Sequence, residues 1–149
     1  MKRFVTLALI AFAGLSSFAG TPVATSQLPQ AVKTFITTHF PGDNIRKAEK
    51  DNGRRGLEYE VDLASGAEID FLENGDWKEV KAARGQVVPA AIVPAAIAKH
   101  VADVYPGQTI VEIARKRGGY EVELANGTEL KLTEDAKPMP ARQGGRNNH

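Results

Sequence analysis

The chain contains no cysteine, one tryptophan and three histidines in 149 residues. The missing thiol excludes disulfides, thiolate nucleophiles and cysteine-ligated metal clusters. Histidines occur only at 39, 100 and 149, so the usual zinc ligand sets cannot be assembled. There is no G-x-S-x-G elbow, no phosphate loop and no D-x-[DN]-x-[DN]-G calcium loop. Nor is there an excess of either charge: 19 basic residues face 18 acidic ones. That balance is not a nucleic-acid binder's. These absences argue against catalysis and leave no cofactor to be expected.

One apolar run stands out, at the very start. Met1-Lys2-Arg3 is a short positive head, Phe4 to Phe18 is largely apolar, and Ser17-Phe18-Ala19 supplies small residues where a signal peptidase reads them. The run is shorter than the roughly 20 apolar residues of a spanning helix and lacks a basic stop-transfer cluster. Residues 1–19 therefore read as a signal peptide cleaved after Ala19, with a periplasmic or secreted product. The mature chain has 130 residues, enough to be held together by burial alone. Its far end, 137–149, is rich in Pro, Gly and Asn without hydrophobic period, and reads as a disordered, weakly basic tail. The body left between them, residues 20–136, carries 14 basic and 18 acidic side chains.

Within this body the chain repeats itself. LPQAVKTFITTHFPGDNIRKA (28–48) aligns on VPAAIAKHVADVYPGQTIVEI (93–113), and YEVDLASGAEIDF (59–71) on YEVELANGTELKL (120–132), with 12 identities in 34 columns. A period above 60 with two copies is no solenoid; it is one supersecondary unit written twice. Each unit opens with a helix that begins beside Pro29 or Pro94. Val32, Phe35, Ile36 and Phe40 recur at helical spacing, as do Ile97, Val101, Val104 and Tyr105. Phe40-Pro41-Gly42 and Tyr105-Pro106-Gly107 stop the helices, because a residue before proline is pushed out of the α region.

Strands follow. Ile45–Lys50 and Ile110–Arg115 are short first strands. Leu57, Tyr59, Val61 and Leu63 then alternate with Glu58, Glu60 and Asp62, the pattern of one buried and one wet face. Ala64-Ser65-Gly66 and Ala125-Asn126-Gly127 turn the chain back, Asn-Gly being the strongest two-residue hairpin signal. Asn74-Gly75 leads into a fourth strand, Trp77–Lys81, whose counterpart after Leu132 is short or missing. The expected fold is α+β: two α-β-β-β(-β) units, residues 20–81 and 93–136, joined by a linker at 82–92. Their strands form one antiparallel sheet of about seven or eight with both helices on one face.

The combination resembles the PepSY-like proteins, also described as beta-lactamase-inhibitor-like, small exported proteins known mainly from Gram-negative bacteria. The carriers are the leader, the paired Phe40-Pro41-Gly42 and Tyr105-Pro106-Gly107 stops, the paired Tyr59-Glu60-Val61 and Tyr120-Glu121-Val122 strands, and Asn74-Gly75-Asp76-Trp77. It covers roughly residues 26–134. The resemblance implies a tandem α+β fold without catalytic residues. It does not carry inhibitory activity over, because no inhibitory residues match.

What remains as a candidate site is a surface. Alternation places Glu58, Glu60, Asp62, Glu68, Asp70, Glu121, Glu123 and Glu129 on the face away from the helices. Eight like charges repel unless cations intervene, and Lys131 with Arg46, Lys47, Lys50, Arg115, Lys116 and Arg117 are the available ones. The face is then either simply solvated, which also discourages edge aggregation, or a docking surface for a basic protein, a peptide or a hard cation. Trp77 is either core or a contact anchor on that face, since strand parity alone does not place it. His39 and His100 read as half-buried packing residues. The function expected is non-enzymatic binding of a protein or peptide through the exposed sheet face or an edge strand. An envelope sensor, a chaperone-like accessory of an exported enzyme, and a carboxylate-based hydrolase are the alternatives.

Overall fold

The computed structural model describes residues 20–140; the expected leader, 1–19, and residues 141–149 of the expected tail lie outside the described residues. Eight strands pair in strict chain order, each antiparallel to the next. They are β1 (Thr21–Pro22), β2 (Ile45–Gly53), β3 (Gly56–Leu63), β4 (Glu68–Leu72), β5 (Trp77–Lys81), β6 (Ile110–Lys116), β7 (Gly119–Leu124) and β8 (Glu129–Thr133). Helix α1 (Gln30–His39) lies between β1 and β2, and α2 (Ala95–Val104) between β5 and β6. Among the described residues no helix is long and apolar enough to cross a membrane.

The helices form where the apolar spacing placed them and bury one stripe each, Val32 with Ile36 and Ile97 with Val101. Pro29 and Pro94 stand one residue earlier than expected, as extended N-caps (φ −52° and −56°) rather than in the first turn. Both helices end alike. Phe40 and Tyr105 leave the α region (φ −128° and −124°) while their N–H groups still donate to Ile36 and Val101. Proline follows, then glycine at positive φ, Gly42 at 77° and Gly107 at 80°.

The buried residues of both helices share one core with strand residues of a single parity: Val61 and Leu63, Ile69 and Phe71, Val80, Ile113, Val122 and Leu124, Leu130 and Leu132. Tyr59 and Tyr120 pack against that core from its margin. No polar or charged residue is buried within it. The segment 82–92 is more than a link. Ala83, Val88 and Ile92 are buried, and the N–H groups of Ala82 and Val88 donate to Val111 and Ile110. His39 lies against Phe35 with ring centroids 4.5 Å apart, and His100 near Tyr105 at 6.3 Å, both packing roles.

Three details depart from the sequence reading. The hairpin falls at Ala125-Asn126-Gly127 as expected, but as a three-residue loop rather than the two-residue turn that Asn-Gly signals. Gly127 N–H donates to Leu124 and Leu124 N–H to Thr128, with Gly127 alone at positive φ (85°) and the Asn126 side chain accepting from Thr128 N–H. A type I turn followed by a left-handed glycine matches the strand twist as well as the mirror-image turn does. Secondly, β2 runs on to Gly53, beyond the expected Lys50. Thirdly, the chain after Thr133 does not leave the fold at 137. Thr133 N–H donates to Lys137, Met139 N–H donates to Lys131, and Leu132 bridges Pro138. This stub shields one sheet edge and the proline-bearing β1 the other, which denies both edges to incoming strands.

Gly75 shows how tightly α1 is seated. It adopts φ 89°, and a β-carbon there would fall 2.4 Å from Ala31 Cβ. The turn at the C-terminal stub has Ala136 at φ 62°, the one positive-φ non-glycine residue among those described. Gly75→Ala is expected to destabilise by about 2–4 kcal/mol, adding left-handed strain to overpacking. Ala136→Gly should cost little or stabilise by up to about 1 kcal/mol. Urea unfolding of the two variants checks this; equal effects would contradict the stated packing of Gly75.

Candidate functional site

Parity selects the residues of the open face, and register lines them up. Opposite the helices, Glu49, Glu60, Asp70 and Glu79 are direct neighbours across β2 to β5, followed by Ala114, Glu121 and Lys131 on β6 to β8. The adjacent row reads Lys47, Asp62, Glu68, Lys81, Glu112, Glu123 and Glu129. Directly opposed like charges destabilise an antiparallel pair. This face holds several in succession.

β-Bulges keep the rows in phase. Between Glu79 and Trp77 the β4–β5 register slips, so that Glu79 opposes Asp70 while Trp77 opposes Phe71. Lys78 is the extra residue. The slip puts Trp77 and Val80 together in the core and lets Lys78 reach Glu58 at 2.8 Å. Trp77 is 7 % exposed, with the Arg115 guanidinium 4.1 Å from its ring centroid and Tyr120 stacked nearby. Trp77 is thereby withdrawn from the candidate contact residues: two-residue alternation cannot see a bulge. Arg115 and Lys50 are corrected with it. They pair with Tyr120 and Tyr59, and so belong to the helix side rather than the acidic one.

All eight acidic candidates do share the open face, but not one environment. Those at its borders have cations. Arg46 meets Asp62 at 3.5 Å, Lys78 meets Glu58 at 2.8 Å, Lys81 meets Glu68 at 3.6 Å, and Lys116 and Lys131 both meet Glu121 at 3.3 Å. Gly53 helps Glu58, whose carboxyl occupies the space a β-carbon at 53 would need, only 2.4 Å away. Such partly exposed pairs stabilise by about 0–1 kcal/mol each. Among the described residues Glu60, Asp70 and Glu123 make no ion pair, and neither does Glu129.

Four further carboxylates of this face were not among the candidates: Glu49, Asp51, Glu79 and Glu112. Glu49 is paired with Lys47 at 3.0 Å, whereas Glu79 and Glu112 make no ion pair among the described residues, although Lys81 stands opposite Glu112. Continuing the alternation of β5 and β6 outward from Val80 and Ile113 would have found both. An unneutralised belt therefore crosses five adjacent strands: Glu60 on β3, Asp70 on β4, Glu79 on β5, Glu112 on β6 and Glu123 on β7. These side chains are half-buried in one another's company, with no described helix or strand laid over them.

Their proton affinities follow. Burial, then the charges of Glu79 and Glu60, pushes Asp70 up to about 7. Burial, then a hydrogen bond with Glu79 and the Glu79 charge, holds the Glu112 carboxyl well above the carboxylate range. Glu60 is raised for the same first reason, reinforced by Asp62 and Glu49. Beside the belt, Ala114 stands where every neighbour in its row is longer. The small hollow there, about 30 Å³, is walled by Glu112, Glu121, Glu123 and Lys131. A second hollow of about 70 Å³ lies between Glu49, Glu58, Glu60 and Asp70. No group of three His, Cys, Asp or Glu side chains among the described residues is gathered closely enough to cage a metal ion.

An antiparallel meander with two helices, built on an acidic open face, is the class of protein this defines. The family model described as putative beta-lactamase-inhibitor-like, PepSY-like, matches residues 18–63 and 57–137, and the chain belongs to that family. Among solved structures it is similar to a putative periplasmic protein from Bacteroides vulgatus (35% identity, 82% of this chain and 95% of that one, TM-score 0.76). It is also similar to a putative calcium-regulated periplasmic protein from Bacteroides thetaiotaomicron (34% identity, 81% and 94%, TM-score 0.74). A second Bacteroides vulgatus periplasmic protein, of unknown function, is 30% identical over 78% of this chain and 93% of its own, TM-score 0.73. No curated protein sequence matches the chain.

The belt makes stability depend on pH. Raised carboxyl affinities mean that the folded state binds more protons than the unfolded one between about pH 4 and 8, so stability falls as pH rises through that window. Thermal unfolding is expected to show a lower Tm at pH 8.5 than at pH 5.5. Asp70→Asn with Glu112→Gln should flatten the profile and raise Tm at the alkaline end. A wild-type Tm that rises over this range would contradict the assignment.

Proposed function

We propose that this is an exported, non-enzymatic binding protein that takes a cationic protein or peptide segment on its open sheet face, across the strands of the acidic belt. The observation that carries this is the run of carboxylates at 60, 70, 79, 112 and 123 on five consecutive strands, half-buried and without cation partners among the described residues. A charged group that is partly desolvated and unpaired raises the free energy of the isolated protein. A cationic ligand relieves that cost on arrival and gains electrostatic steering as well. Export is supported by the leader-like residues 1–19 and by the periplasmic neighbours. The two-copy reading of the sequence is part of the same proposal. It is supported by the matching helix ends at Phe40 and Tyr105 and by bulges at Ile45/Lys47 and Ile110/Glu112.

A second reading is favoured by the neighbour described as calcium-regulated. Calcium prefers six or more convergent oxygens, and no such cage is formed by the described residues. On this reading calcium acts as a counter-ion that competes for the belt, modulating the cationic partner rather than replacing it.

Calorimetric titration of the protein with a Lys/Arg-rich peptide and with its Glu-rich counterpart tests the proposal. The basic peptide is expected to bind with salt-dependent affinity and the acidic one not at all. The triple variant Asp70→Asn, Glu79→Gln, Glu112→Gln should weaken binding about tenfold or more, and calcium should compete. Undiminished binding by the triple variant would refute the belt as the docking site.

A further inference from the structure

The sheet's acidic face has one more potential cation than its side chains provide. The 70 Å³ hollow at its β2–β3 end is walled by Gly20 together with Glu49, Asp51, Glu58 and Lys78. Glu60 and Asp70 close its inner side. Five carboxylates thus meet two serving cations, Lys47 on Glu49 and Lys78 on Glu58. Lys50 also borders the hollow, but its side chain belongs to the row of Tyr59, on the helix side. Gly20 enters this setting by register. Thr21 opposes Lys50 and Pro22 opposes Glu49, so one residue further out brings Gly20 beside Asp51. A β-carbon on Gly20 would lie 3.0 Å from Glu49 Cβ, 3.2 Å from the Lys50 carbonyl oxygen and 3.6 Å from Glu49 Oε2, which sets the Gly20 backbone against the Glu49 side chain.

We propose that cleavage between Ala19 and Gly20 makes the α-ammonium of Gly20 a built-in cation of the acidic face, anchoring the mature N-terminus in the hollow. In the uncut chain the Gly20 nitrogen is a neutral amide. On hydrolysis a water oxygen bonds to the Ala19 carbonyl carbon and the C–N bond breaks. Ala19 departs as a carboxylate, and the Gly20 nitrogen, protonated, stays behind. An ordinary α-amino group titrates near pH ~7.7–8.0; the carboxylates that share the hollow with Gly20 favour its charged form. Only the processed chain carries this charge, so maturation itself trims the negative potential at one end of the face and ties β1 to β2. The inference stands on the position of Gly20, independently of what docks on the belt.

The test uses the protein released with Gly20 as its first residue, alongside the N-terminal sequence of the form recovered from the producing cell's envelope. That sequence is expected to begin at Gly20; another start would overturn the proposal. With ¹⁵N-labelled Gly20, the amine is expected to titrate about one unit above its ordinary value. The pair Glu49→Gln, Asp51→Asn should bring it back. An amine titrating at or below the ordinary value, or indifferent to the double variant with Trp77 fluorescence unchanged, would also overturn it. Peptide binding measured on the same samples separates failure of this inference from failure of the belt as a docking site.

Discussion

The fold depends on eight strands keeping a single phase. Antiparallel neighbours share faces residue by residue, so a slip of one position anywhere would send apolar side chains to water and carboxylates beneath the helices. The bulges at 45–47, 77–79 and 110–112 are where that phase is preserved across a local irregularity. The consequence is a complete division of labour. Among the described residues, one face holds a core without a buried polar residue, and the other gathers most of the acidic side chains. Burial of the first face supplies the stabilising free energy. It also constrains the second, whose carboxylates are held in rows by the backbone beneath them whether or not they repel.

That constraint separates this acidic surface from an ordinary solvated one. Free side chains would spread apart, and each carboxylate would keep its usual proton affinity. Here Glu79 and Glu112 are held against each other and Asp70 lies between Glu60 and Glu79. The borders of the face have Arg46, Lys78, Lys81, Lys116 and Lys131 as neutralisers, while the middle does not. Strand pairing alone would be served better by a lysine at 79 or 112. The arrangement is consistent with a face that waits for positive charge from elsewhere.

Much of this was legible in residue order. Period-two alternation at 57–63 and 120–124 and the Pro-Gly stops gave the strands, the helices and the wet face, because each is a local signal with one dominant cause. What failed were effects that need two strands at once. Strand parity left Trp77 between core and open face until the bulge at Lys78 placed it in the core, and the pairing of β5 with β6 created the Glu79–Glu112 contact, which no single stretch contains. Arg115 was misplaced for a similar reason. It reads as a solvated cation beside Lys116, yet its stem belongs to the Tyr120 row and its head to the Trp77 ring. The return of Lys137 to Met139 onto β8 carries no hydrophobic period at all, being fixed by backbone hydrogen bonds to Lys131 and Thr133.

The order β1 to β8 is also the order of the chain, without a crossover. Each strand therefore finds its partner either through a tight hairpin or across one intervening helix, and no pairing waits for a distant segment to arrive. Closing short loops costs little entropy, and chains dominated by such closures reach the native state quickly for their size. Assembly can then advance like a zip from whichever hairpin closes first, keeping brief the interval in which naked strand edges could meet those of another molecule.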